Sequence, residues 1–322
     1  MPMMDMPLSE LKQYKGISPK PHDFDEYWDK ALAELKAQPD NAEFIPASFQ
    51  TPNAECYDLY FTGVGGSRIH AKFLKPKNLT GKAPALLQFH GYSANSGDWN
   101  DKLSYVNEGF VVAAMDCRGQ GGLSEDLASV KGTTLNGMIV RGLSDPDNTK
   151  LHYRNVFLDT AQLARIVMGL DYVDETRVGA TGGSQGGALT IACAALVPEL
   201  NRASSVYPFL SDYRRVWEMD MAERAYQELK TYFRYFDPLH EREDEIFTKL
   251  GYIDISNLAP RIKAKVMMAI SLMDNVCPPS TQFACFNRLT CEKKSVIYPD
   301  YGHEYLPGYG DLTLQFMLEM KK

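Results

Sequence analysis

The sequence predicts an α/β fold in which a mostly parallel sheet carries helices on both faces. Three observations predict it. Short, nearly continuous apolar runs recur between residues 85 and 298; segments with helical periodicity lie between them; and a 44% hydrophobic, 23% charged chain of 322 residues supplies a large core. Strands buried on both faces give unbroken apolar runs rather than alternation, and the order strand, helix, strand favours parallel pairing. One unit spanning 1–322, with insertions, is expected.

At the start, Phe24, Trp28, Leu32 and Leu35 recur at helical spacing, so residues 1–50 should form a helical arm packed on the body. Residues 57–61 and 69–74 read as an antiparallel hairpin, with Gly63, Gly65 and Gly66 in the turn. The buried strands follow at Ala85 to Phe89, Val111 to Met115, Arg177 to Thr181, Ala203 to Val206, Lys265 to Ser271 and Ser295 to Tyr298. Val156 to Met168 and Ala188 to Leu196 are the helices between them. Two stretches break the alternation. Gly122 to Arg154 is polar and glycine-rich, a loop long enough to be an interface or a functional element. Asp212 to Leu250 has the pattern of two or three amphipathic helices, expected to form a cap over the sheet edge.

A formal charge of -7 and the lack of a basic stripe exclude a nucleic-acid partner. No run approaches the about 18 apolar residues that span a bilayer, so no membrane partner is expected. The six cysteines form no CxxC pair and point to reduced thiols. Met1 to Leu11 lacks the basic-then-apolar order of a secretory signal, and a cytoplasmic location is expected.

The sharpest local signal is Arg177 to Gly187, a strand running through Gly182-Gly183-Ser184-Gln185-Gly186 into a helix of small residues. This is the G-x-S-x-G nucleophile elbow of the α/β-hydrolase fold. Glycines at 182 and 186 keep side chains out of the tight turn, which lifts the Ser184 hydroxyl above the sheet edge. The following helix directs its positive end toward a developing oxyanion. A phosphate-binding turn is the alternative, but the P-loop lysine and the G-x-G-x-x-G spacing are both missing.

Such a serine needs an imidazole to take its proton and a carboxylate to orient that imidazole. In this fold they follow late strands in the order Ser, Asp, His. Asp274 follows the run ending at Ser271, and His303 follows the run ending at Tyr298. The rival acids are Asp300, awkwardly close to His303 on one loop, and Asp254 and Asp237 in the helical insertion. His22, His70, His152 and His240 lack the loop context. The two oxyanion donors should be the backbone amides of Gln185 and Tyr92, the latter just past the strand ending in Phe89-His90-Gly91. His303-Glu304 does not continue into H-E-x-x-H, so no zinc site is expected, and the chemistry requires neither metal nor cofactor. Asp116 to Gly122 is glycine-rich, but it follows a strand and opens a loop, as a structural turn does.

With these residues in place, the chain closely resembles carbohydrate esterase family 7, the acetyl xylan esterases and cephalosporin-C deacetylases. The resemblance rests on Arg118-Gly119-Gln120, Gly182-Gly183-Ser184-Gln185-Gly186 and His303-Glu304, in that order. Supporting stretches are His90-Gly91-Tyr92, Arg141-Gly142, Tyr207-Pro208-Phe209 and Leu272 to Thr281. It implies a serine esterase that removes O-acetyl groups from small substrates, such as acetylated xylo-oligosaccharides and cephalosporin C. Arg118, Gln120, Gly182, Gly186 and Glu304 would support the site, and Tyr92 and Pro208 would contact substrate. The resemblance further implies a ring-like homo-hexamer, built partly through the 122–154 loop. The alternatives are another α/β-hydrolase, such as a longer-chain esterase or peptidase, and a non-catalytic binding protein on the same scaffold.

Overall fold

Nine strands form one sheet in the computed structural model, which describes residues 4–131, 137–222 and 224–322. They are β1 (Glu43–Pro46), β2 (Ala54–Thr62), β3 (Arg68–Pro76), β4 (Ala83–Phe89), β5 (Val111–Met115), β6 (Val173–Gly183), β7 (Arg202–Val206), β8 (Lys265–Ser271) and β9 (Lys293–Tyr298). Their order across the sheet is β1-β2-β3-β5-β4-β6-β7-β8-β9. The pairs β1/β2, β2/β3 and β3/β5 are antiparallel, and every pair from β5 to β9 is parallel. The predicted hairpin is β2–β3, with Tyr57 opposite Phe73 and Leu59 opposite Ala71. Gly65 and Gly66 turn it at φ of 77° and 85°, a region that a side chain disfavours.

Alternate residues of the central strands enter two separate cores. Ala85, Leu87 and Phe89 of β4 and Val111, Ala113 and Met115 of β5 join the large cluster that includes the helices His152–Met168 and Gln185–Leu196. Leu86 and Val112 point the other way, onto Val106, Phe110, Met317 and Met320. The two-residue period of a strand therefore places apolar side chains on both faces, which is why these segments are continuous apolar runs. Each fully buried Val, Leu, Phe or Met among them stabilises the fold by roughly 1.5–3 kcal/mol.

The arm helix Phe24–Ala37 buries Phe24, Tyr27, Trp28, Ala31 and Leu35, the stripe its spacing predicts. Trp28 stacks on Phe157 at 6.0 Å, and its indole N–H donates to the Tyr252 carbonyl. The arm is not wholly helical, because residues 43–46 add the edge strand β1. The insertion contains the helices Tyr213–Glu218, Gln227–Phe236 and Glu243–Leu250. Its Tyr226 ring lies 4.4 Å from Phe209, which ties it to the segment after β7. The loop predicted to reach Arg154 ends sooner, since a helix begins at His152. Its polar first turn is buried and partly satisfied by distant partners, with Tyr153 donating to Gln185 and Arg154 to Glu34, while the His152 ring nitrogens make no hydrogen bond among the described residues. Residues 132–136 of that loop lie outside the described residues.

Because β6, β8 and β9 run parallel, their carboxyl ends share one sheet edge. Ser184 follows β6 directly, and Asp274 and His303 follow β8 and β9.

Candidate active site

The strand-to-helix turn forces Ser184 to φ 58° and ψ -118°. For a residue with a side chain this costs of order 1–3 kcal/mol, which the surroundings must offset. The Ser184 amide donates to Val206 at 3.0 Å, and its carbonyl accepts from Phe209 at 3.1 Å and Ala188 at 3.0 Å. The flanking glycines are required by close approach. A methyl on Gly182 would lie 2.5 Å from backbone atoms of Gly186 and Phe89, and one on Gly186 would lie 2.0 Å from the Phe89 carbonyl oxygen.

At this edge the three predicted side chains meet. His303 Nε2 is 2.9 Å from Ser184 Oγ, and His303 Nδ1 is 2.8 Å from Asp274 Oδ2. Asp274 is fully buried. Its Oδ1 accepts the amides of Val276 and Cys277 at 2.8 Å each, and Gln282 donates to Oδ2 at 3.3 Å. The turn after β8 thus builds a cradle that fixes the carboxylate. The rival acids are engaged elsewhere: Asp254 caps the Ser256 amide, Asp237 accepts the amides of Glu241 and Arg242, and Asp300 is exposed. Of the other histidines, His70 sits between Asp116 and Asp58, His152 is buried 3.6 Å from Asp126, and His22 and His240 are paired near the surface.

Gln185 opens the nucleophile helix, where an N–H has no partner within the helix and stays available to an anion. The end of β4 is pressed against the elbow, a methyl on Gly91 falling 4.0 Å from the Gly183 carbonyl oxygen. Gln120 fixes both sides: its side-chain amide exchanges hydrogen bonds with Gln185 at 2.8 and 3.1 Å and accepts the Ser93 amide at 2.9 Å. His90 donates from one ring nitrogen to the Gly91 carbonyl and accepts the Cys117 amide with the other. It is therefore a neutral brace, and burial pushes its pKa down.

A family model described as acetyl xylan esterase matches residues 1–320. The chain belongs to the acetyl xylan esterase family. It is a carboxylic ester hydrolase. It is 60% identical to the crystal structure of acetyl xylan esterase 1 from a Thermoanaerobacterium species, at a TM-score of 0.98 over 99% of this chain and 100% of that one. An acetyl xylan esterase from a Paenibacillus species is 37% identical, with a TM-score of 0.93 over 98% of this chain and 99% of that one. An acetyl esterase from Xylanibacter ruminicola is 28% identical over 319 residues, 93% of this chain and 70% of that protein.

Within this family member the remaining predicted residues are unequally placed. Arg118 is committed to the core, where its guanidinium holds Asp159 through two 2.7 Å hydrogen bonds and donates to the Val64 carbonyl. Pro208 is buried, its Cα close against Gly187 of the nucleophile helix. Glu304 is exposed and accepts the Gly302 amide, so it shapes the turn that presents His303.

Several neighbours were given no role by the sequence, although Tyr207 and Cys277 fall in stretches that carry the resemblance. Tyr207 lays its ring 4.5 Å from the His303 ring, and burial pushes its phenol up to about 12. Tyr153, from the helix His152–Met168, donates to Gln185 at 2.8 Å. Cys277 is a hydrogen-bond neighbour of Ser184, and burial, then Asp274, raises its thiol well above the ordinary range. Ligand atoms of Asp274, Cys277 and His303 lie within 4.8 Å of one another, the geometry a soft cation could use. Both Asp274 oxygens are already hydrogen-bonded and the thiol resists ionisation, so the donor set suits proton relay better than metal binding. No helix of the described residues is long and apolar enough to cross a membrane.

Proposed function

We propose that the protein removes O-acetyl groups from small acetylated carbohydrates such as xylo-oligosaccharides, and from cephalosporin C, by an acyl-enzyme mechanism. The observation that carries the mechanism is the continuous Asp274–His303–Ser184 relay at 2.8 and 2.9 Å. The substrate class is supported by relatives named for acetyl xylan and acetyl esters.

In this reading Ser184 Oγ attacks the acetyl carbonyl carbon while His303 Nε2 takes its proton. Asp274 holds the tautomer and stabilises the imidazolium. The amides of Tyr92 and Gln185 receive the oxyanion, and collapse expels the sugar alcohol, which takes the proton from His303. Water then attacks the acetyl-enzyme, again losing its proton to His303. Acetate leaves, and the proton returns to Ser184. The same reading includes assembly as a hexamer, supported by Leu123 and Leu127 of the long loop, each 62% exposed.

Acetate release from acetylated xylo-oligosaccharides and cephalosporin C, beside a p-nitrophenyl ester series, tests the substrate claim. Fast turnover of acetyl esters with steep loss at longer acyl chains is expected, and a preference for octanoate or peptide amides would overturn it. Native mass spectrometry tests the hexamer; a monomer at working concentration would contradict it.

A further inference from the structure

Three distant segments meet on one buried carboxylate. Glu228 lies in the first turn of the helix Gln227–Phe236 and is 4% exposed. Its Oε2 accepts the Val140 amide at 2.9 Å, and its Oε1 accepts the Tyr92 hydroxyl at 3.1 Å. The amides of Met138 and Ile139 also donate to it. Gly137 wraps closely around the group: at φ 119° a methyl there would fall 2.2 Å from Oε2. The insertion, the end of the long loop and the loop after β4 are thus fastened to one side chain.

An acid in so dry a place is costly unless donors replace water, and these donors come from the loops themselves. Burial pushes the Glu228 carboxyl up to about 7 against the pull of those amides and of Tyr92. The titratable groups facing it are the phenols of Tyr92, Tyr153 and Tyr213, all raised by burial and neutral in this range. Tyr92 is held at two points. Its tip bonds Glu228, and its ring meets Phe209 edge-on at 5.7 Å, whose own amide bonds the Ser184 carbonyl.

We propose that Glu228 is a positioning residue for ester hydrolysis, fixing through the Tyr92 hydroxyl and the 138–140 amides the loop whose Tyr92 amide receives the oxyanion. The proposal rests on the assignment of Ser184 and Tyr92 made above. Glu228 touches no reacting atom; it acts through the placement of a donor, and sub-ångström misplacement of a donor is felt in kcat rather than in KM.

Glu228→Gln tests it. The amide side chain keeps the volume but sets an N–H₂ against backbone donors, so kcat should fall roughly 10–100-fold with KM within about 3-fold. Wild-type kcat should decline on the acid side with a slope that includes protonation of Glu228, and the variant with a shallower one. A residue that merely stabilises the fold would leave that slope unchanged. Tyr92→Phe removes only the hydroxyl link and keeps the ring on Phe209; kcat should fall several-fold at wild-type melting temperature. It decides the matter alone if Glu228→Gln does not fold. Wild-type kcat in both variants, or an unchanged acid-side slope in Glu228→Gln, overturns the proposal. Ser184→Ala separates the two levels: if it retains turnover, the site assignment fails; if it is inactive while both other variants match wild type, only the role of Glu228 fails.

Discussion

Replacing Gly186 with alanine would place a methyl 2.0 Å from the Phe89 carbonyl oxygen, 2.7 Å from the Phe89 carbonyl carbon and 3.1 Å from the His90 oxygen. All three are backbone atoms, so no side chain can swing aside. Ordinary contact near 3.4 Å requires the end of β4 and the nucleophile helix to separate by about 1.4 Å, and overpacking of this kind costs typically 1–3 kcal/mol. The larger effect falls on rate. The displaced segments carry the Tyr92 and Gln185 amides, and a misplacement of about 1 Å can cost 10²-fold. Gly183→Ala is the control, since a methyl there meets only Val206 and Tyr207 side-chain atoms at 3.6 and 3.8 Å. With p-nitrophenyl acetate, kcat of Gly186→Ala should fall by about 100-fold or more and its melting temperature by several degrees, while Gly183→Ala stays within a few-fold. Equal losses in the two variants, or full activity in Gly186→Ala, would refute the steric account of the elbow.

Asp274→Asn leaves a neutral side chain in the cradle and unsettles the His303 tautomer, so kcat should drop by about 10⁴ with little change in KM; steady-state kinetics that show a few-fold loss would count against its role. Arg118→Met strands the Asp159 charge in the core and should cost about 3–5 kcal/mol in urea denaturation, whereas the double replacement Arg118→Met/Asp159→Leu should recover most of it. Equal destabilisation of single and double variants would contradict that. Asp254 is raised from 3.8 to about 6 by burial, then by Asp212. Its carboxylate is therefore disfavoured in the fold, and its contribution to stability is lost as pH rises from 3.8 through about 6. Asp254→Asn, always neutral, should gain on wild type as pH rises from about 4 to about 6, reaching up to about 3 kcal/mol and holding that margin above pH 6; a difference that does not grow between pH 4 and pH 6 would exclude the linkage.

The sheet was legible in the sequence wherever burial was complete. β5 and β8 have the boundaries their apolar runs predict, because both faces are covered along all of β5 and from Val266 onward in β8, where only Ser271 is polar. β1 left no such trace, being exposed along most of its length and ending in Pro46. The turn His152 to Asn155 looks like loop by composition, yet it is buried helix, with Tyr153 and Arg154 reaching Gln185 and Glu34 far away in sequence. At the site, Ser184 was readable from local sterics, and Asp274 and His303 from the order in which parallel strands end. Gln282 behind Asp274, Tyr153 behind Gln185 and Glu228 behind Tyr92 were not, because each acts through a tertiary hydrogen bond with no fixed spacing. Arg118 shows the converse: its motif signals the site, but the structure spends its charge on Asp159.

Acid quench of the enzyme during turnover of an acetyl ester, followed by peptide mass spectrometry, addresses the Ser184 assignment most directly. One acetyl mass on the peptide containing Ser184, absent in Ser184→Ala, is the predicted result. Turnover with that peptide unmodified, or with the acetyl group on another residue, would contradict the account.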